Sequence, residues 1–360
     1  MGETDQPPQR ILVIHNTPAE TPIKGESVDS FSECEVVATA REVALALRER
    51  GYTQVFELGV TRDLTAFLEA LREIGPDVVF NLCEGIDGDE HHEPLITHLM
   101  EFLGVPFTGG DTRALADSNN KYRAKQILAA EGVPTPRSVL VRDLIDLGRF
   151  DIKFPVIVKP VQENASLGIT QESVAYAPAD LVGPVTQVLE KYRQPALVEQ
   201  YIEGREFNVA ILGGRKPWVL PISEVDYSSL PEGLPRILFY EAKWIEDSPL
   251  FQKTPIVCPA RLTPRLADEI KKIALEAYVA LGCSGYARVD MRVSRRGKPY
   301  VIEVNCNPSL APEAGLARSA RVAGLTYPML VETIVRLAVD VCSPTSHAVA
   351  TASVREEGIL

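Results

Sequence analysis

The stretch VIEVNCNPSL, residues 301–310, opens like a buried strand, yet Glu303 and Asn305 interrupt it. Side chains two apart on a strand share a face, so an acid and an amide stand side by side there. The preceding run YARVDMRV, residues 286–293, alternates strictly: Ala287, Val289, Met291 and Val293 lie on one side, Arg288, Asp290 and Arg292 on the other. SRRGK, residues 294–298, reads as a glycine-bearing turn between the two runs. A hairpin with both apolar sets facing one core fixes the parity of pairing. The tightest register turns Tyr300, Ile302 and Val304 inward, opposes Val293 to Tyr300 and leaves RRGK as a four-residue loop. It also sets Asp290 opposite Glu303 and Arg288 opposite Asn305.

Two carboxylates directly opposed on a sheet repel. A shared proton, a nearby Arg288 or Arg292, or a bound hard cation would compensate. Mg²⁺ suits two carboxylates with one amide oxygen. A solvated face on which the carboxylates diverge is the plainer alternative.

The chain of 360 residues is long enough for two or three domains. A net charge of −12 argues against a nucleic-acid-binding surface as the main function. Cys34, Cys83, Cys258, Cys283, Cys306 and Cys342 are scattered with no CxxC pair, which reads as free thiols in a reducing compartment. No apolar run approaches transmembrane length, and MGETDQPPQR lacks a signal-peptide core, so no membrane association and a cytoplasmic location are expected.

RILVIHN, TQVFEL and PDVVFNL alternate with two helical segments, which predicts a parallel α/β sheet. PVIVKPV and PALVEQYI read as strands flanking a helix near residues 178–192. EFNVAILGG and KPWVLPISEV read as an antiparallel pair, and the polar, aperiodic end from residue 343 as a poorly ordered tail.

Lys159 closes the apolar run FPVIVKP, where a snorkelling lysine is the bland reading. QENASLGI, containing Ser166, is small and polar enough to lie over phosphates, although it matches no strict phosphate loop. Lys121 starts a helix, where a cation is slightly unfavourable. Glu199, Tyr201, Ile202 and Glu206 in LVEQYIEGREF read as a linker whose backbone could meet an adenine edge and whose last acid could meet a ribose. His91 and His92 in DEHHEP are adjacent, so their side chains diverge; a polar loop near a substrate mouth is preferred to a metal site.

The order of GVPFTGGDTRALADSNNKYRAK, PVIVKP, LVEQYIEGREF, FYEAKW, CPARL and the final hairpin resembles the D-alanine–D-alanine ligase family of the ATP-grasp superfamily, over residues 10 to 340. The resemblance implies an α/β ATP-grasp fold: an N-terminal α/β domain at 10–115, a central lobe at 116–205, and a C-terminal lobe with the magnesium site at 206–342. It implies a ligase that joins two amino acids through an acyl phosphate, using ATP and two Mg²⁺ ions (or Mn²⁺), in peptidoglycan synthesis and as a homodimer. Lys121, Lys159 and Ser166 correspond to phosphate contacts, Glu199, Tyr201 and Ile202 to the adenine hinge, and Glu206 to the ribose acid. Asp290, Glu303 and Asn305 correspond to the metal ligands, Arg288 to the oxyanion arginine, Lys243 to a lysine near the second substrate, and Glu33 to the acid that meets the first.

The chain departs from the family pattern where the amino acids bind. A lid serine and a tyrosine fall on Ala165 and Trp244, a histidine near Cys83, and a glycine and a serine on Ser309 and Ala314. These changes raise the alternative of a ligase for a larger or differently charged amino acid. An ATP-dependent phosphotransferase and a nucleotide-binding regulator are the other classes, and the retained Asp290, Glu303 and Asn305 argue against a regulator.

Overall fold

The computed structural model describes residues 8–18, 31–149, 151–214, 216–245 and 247–342. The first sheet holds β1 (Arg10–Asn16), β2 (Gln54–Val60) and β3 (Val78–Asn81), all parallel, in the order β2-β1-β3. The central place of β1 explains its unbroken apolar run: Ile11, Leu12, Val13 and Ile14 are buried on both faces. Helix Leu64–Ile74 connects β2 to β3, capped by the Asp63 carboxylate and ended by Gly75 at φ +54.

The second sheet, in the order β4-β7-β5-β6, comprises β4 (Ser138–Val141), β5 (Val156–Pro160), β6 (Val174–Ala175) and β7 (Ala196–Gln200). Helix Val182–Lys191 covers it with Val185 and Val188.

The third sheet comprises β8 (Gly204–Leu212), β9 (Trp218–Val219), β10 (Ser223–Val225), β11 (Ile256–Val257), β12 (Tyr286–Ser294) and β13 (Pro299–Asn305). β12 lies between β8 and β13, antiparallel to both. Helix Pro264–Ala280 packs Ile270, Ile273, Ala274 and Ala277 into the core under this sheet. Helix Tyr327–Cys342 returns to the first unit, where Leu330, Val331, Ile334 and Val335 share a core with Val36, Ala40 and Val43. Among the described residues, no single helix is long and apolar enough to cross a membrane.

The β12–β13 hairpin keeps the expected register at one end and departs from it at the other. Arg288 opposes Asn305, and Asp290 opposes Glu303. A bulge then shifts the pairing, so Met291 faces Val301 and Val293 faces Pro299 rather than Tyr300. The turn is accordingly tighter than the four-residue loop expected: Ser294 N–H donates to the Lys298 carbonyl at 2.9 Å, and Gly297 turns at φ +81. The bulge also changes which side chains are inside. Val301 and Val304 enter the core, and Ile302 turns with Glu303 toward a cleft.

Candidate active site in the cleft between the second and third sheets

A solvent-open cleft lies between the second and third sheets. β5 and β7 supply Lys159 and Glu199 to its wall, and β12 and β13 supply Arg288, Asp290, Ile302 and Glu303. Tyr201, Ile202, Glu206, Lys243, Ala165 and Ser166 line the same space, whereas Lys121 and Asn305 are not among its lining residues.

Each of the opposed acids is held by its own cation. Arg288 Nε and Nη2 reach Asp290 Oδ1 and Oδ2 at 2.8 and 2.9 Å, a two-point contact on one carboxylate. Asn208, from β8, donates to the same Asp290 Oδ1 at 2.7 Å. Lys121 Nζ reaches Glu303 Oε1 at 2.5 Å. Burial opposes ionisation of Glu303, but Lys121, Lys159 and Arg288 more than offset it, and the carboxyl falls to about 2. The Lys121 contact favours an ionised Glu303 over a proton shared between the acids. Arg292, the other candidate partner, does a different job. It binds the carbonyls of Ile202 (2.7 Å), Arg236 (2.7 Å) and Gly204 (3.1 Å), and the Glu206 carboxylate at 2.8 Å. It thereby fixes the hinge between β7 and β8. Gly204 is required in that hinge, because a Cβ there would overlap the Val293 carbonyl.

Asn305 Oδ1 accepts the Asn307 N–H at 2.9 Å, which orients the amide next to the two acids. Asp290, Glu303 and Asn305 present only hard oxygen donors, the chemistry a magnesium ion takes. Tyr227 O–H donates to Glu206 at 2.9 Å.

Glu199 is fully buried, and its carboxylate lies between Lys125 Nζ and Lys159 Nζ, each at 2.6 Å. Burial raises its pKa, and the two ammonium groups reverse this to a net lowering. The Glu199 side chain is therefore placed to hold the two lysines. Lys125 was missed in the sequence, although it follows Lys121 by one helical turn and so shares its face. Replacing Lys125 with Met leaves Glu199 paired with Lys159 alone and removes the donor to Thr135 Oγ1 and the Ile302 carbonyl, and is expected to destabilise the fold by about 2 kcal/mol, read as a lowered midpoint in chemical denaturation.

Lys243 is pushed down to about 8, first by burial and then by Arg288, against the pull of Asp290, Glu303 and Glu84. Glu33 lies in helix Phe31–Glu49, but its side chain falls outside the described residues, as does that of Trp244. Glu35 is the acid of this helix that interacts with Lys243 and Ser309; burial raises its pKa. Ala165 lines the cleft, Cys83 is buried in the core, and Ala314 precedes helix Gly315–Val322.

Sequence reading passed over two acids: Glu84, which acts on Lys243 and Arg288, and Glu93, which acts on Glu84. Burial and the neighbouring Glu93 and Glu35 raise Glu84 to about 8. Burial raises Glu93 to about 7, against hydrogen bonds from Asn119 and Asn307. A carboxyl raised in the folded state contributes stability that is complete below its unfolded pKa and is lost as pH climbs to the folded value. For Glu84 the window runs from about 4.5 to about 8. Glu84→Gln is thus expected to gain roughly 3 to 4 kcal/mol relative to the parent between pH 5 and pH 8. Unfolding curves of both proteins at the two pH values check it, and a constant difference would contradict the assignment.

A family profile described as "D-ala D-ala ligase C-terminus" matches residues 143–336. The chain is 35% identical to an uncharacterised protein of Sinorhizobium fredii over 83% of this chain and 87% of that one. It is 33% identical to a D-alanine–D-alanine ligase of Desulforudis audaxviator over 83% of this chain and 92% of that one. Among solved structures, a D-alanine–D-alanine ligase of Bacillus anthracis complexed with ATP superposes with a TM-score of 0.71 at 24% identity, over 93% of this chain and 98% of that one. The sheets, the cleft and these matches agree: the chain belongs to the D-alanine–D-alanine ligase family, carbon–nitrogen ligases built on the ATP-grasp fold.

Proposed function

We propose that the chain joins two amino acids, D-alanine to D-alanine, at the expense of ATP and through an acyl phosphate. The observation that carries this reading is the Asp290–Glu303 opposition beside Lys121 and Arg288, at a cleft lined from both sheets. The names of the similar ligases favour D-alanine over other amino acids.

A carboxylate is a poor electrophile, because an oxide must leave. Phosphorylation by the γ-phosphate replaces that leaving group with phosphate. Lys121 and Lys159 are assigned to the phosphates, with Ser166 of the loop beside them. Tyr201 and Ile202 form the adenine hinge and Glu206 meets the ribose. Asp290, Glu303 and Asn305 would hold magnesium, which neutralises charge on the transferred phosphoryl group when bound. The amine of the second amino acid then attacks the acyl carbon. Arg288 is aimed at the oxyanion that forms, and Lys243 lies beside it. Following the resemblance, Glu33 is assigned to the first amino acid.

The same reading takes residues 10–115, 116–205 and 206–342 as its three domains, and includes a homodimer, a cytoplasmic location and a role in peptidoglycan synthesis. ADP release measured across D- and L-amino acids, with product masses, tests it. Dipeptide from D-alanine is the expected product. A phosphorylated amino acid with no dipeptide from any pair would favour a phosphotransferase instead.

A further inference from the structure

The loop Gln162–Gly168 borders the cleft through Ala165 and Ser166 and is gripped from outside the cleft by the first α/β unit. Glu90 sits in the single 3-10 turn Glu90–His92. Its two carboxylate oxygens accept the backbone N–H of Asn164 at 3.2 and 3.1 Å. Beside it, His91 Nδ1 lies 3.0 Å from Gln162 Nε2.

The loop needs such anchors. Ala165 and Ser166 have φ of +55 and +64, a backbone region that side-chain-bearing residues adopt only when their surroundings impose it. Within the loop, Leu167 N–H donates to the Asn164 carbonyl at 3.0 Å and Ile169 N–H to that of Ser166 at 3.1 Å. Ser166 Oγ donates to the Leu238 carbonyl at 2.8 Å.

Asn164 is the pivot. Its N–H points to Glu90, and its Oδ1 accepts from Lys121 Nζ at 3.2 Å, while the same ammonium holds Glu303 at 2.5 Å. One line of contacts therefore runs from the first α/β unit, through the loop, to the paired acids of β12 and β13.

We propose that Glu90 is a positioning residue that holds this loop closed over the cleft and, through Asn164, sets the Lys121 ammonium. The proposal rests on the ligase reading and adds to it a role for a residue outside the cleft: coupling ATP cleavage to amide formation. An acyl phosphate reached by water breaks at its acyl C–O bond, giving phosphate and the original carboxylate, so one ATP is consumed with no dipeptide made. A loop held by Glu90 excludes that water. If Glu90 only packs two units together, its loss lowers stability and leaves the coupling unchanged.

The test uses the full chain with ATP, magnesium and D-alanine, and measures ADP and dipeptide in the same reaction for the parent, Glu90→Ala and Glu90→Gln. The parent should form about one ADP per dipeptide, and Glu90→Ala at least ~5 with KM for ATP within about threefold. Glu90→Gln keeps an acceptor oxygen for the Asn164 N–H and should return the ratio most of the way to the parent's. A parent-like ratio in Glu90→Ala, even with a lowered Tm, would overturn the proposal alone, as would a Glu90→Gln variant as uncoupled as Glu90→Ala. A parent that makes no dipeptide from D-alanine or from the wider amino-acid panel would overturn the ligase reading and this proposal with it.

Discussion

Glu303→Gln is expected to lower kcat by about 10³ with the overall fold retained. The amide keeps the size of the carboxylate and an oxygen that can still accept from Lys121, now 2.5 Å away. It removes the negative charge that holds the Lys121 ammonium and that a magnesium ion requires. Lys121 itself is held above the ordinary lysine pKa because Glu303 more than offsets its burial, so the variant loosens a charge pair as well as a metal ligand. Steady-state ADP release at saturating ATP, alongside circular dichroism, checks the result. A variant within tenfold of the parent would show that Glu303 is not part of the reacting centre.

Arg288→Ala is expected to separate the two halves of the reaction. Phosphoryl transfer to the carboxylate should continue, because Lys121, Lys159 and the acids of β12 and β13 remain. Attack by the amine should slow by about 10² to 10³, the usual cost of deleting one donor to a developing oxyanion. Hydroxylamine added to the reaction reports the first half, since it captures an acyl phosphate as a hydroxamate, and dipeptide yield reports the second. Equal losses in both would place Arg288 in phosphoryl transfer. Its other role in the structure is to hold Asp290 through two nitrogens, so a Tm for the variant belongs in the same experiment.

The strictly alternating β12 was fully legible, because Ala287, Val289, Met291 and Val293 can reach one core only if Arg288 and Asp290 face the other way. The same parity placed Asp290 opposite Glu303. It failed beyond that pair, since a bulge adds one residue to a strand without leaving a mark in a period-two pattern; Ile302 was therefore placed in the core and lines the cleft instead. Partners from distant strands were not legible. Asn208 meets Asp290 only because β8 pairs with β12, and no spacing along the chain announces that order. Arg292 was weighed as a partner for the paired acids because it shares their strand face, yet its reach carries it to the hinge carbonyls. Lys125 had a signal, the four-residue step from Lys121, and Glu199 then joins it to Lys159. The half-buried Glu84 and the buried Glu93 carried no pattern at all; packing alone brings Glu84 near Lys243 and Arg288 and sets Glu93 beside it.

The acyl phosphate makes the most direct demand on experiment, because it fixes the fate of one oxygen atom. With an amino acid labelled with ¹⁸O in its carboxylate, the oxygen that accepts the phosphoryl group must leave with it when the amine attacks. Mass spectrometry of the released phosphate should find one ¹⁸O for each dipeptide formed. Dipeptide accompanied by unlabelled phosphate would contradict the account.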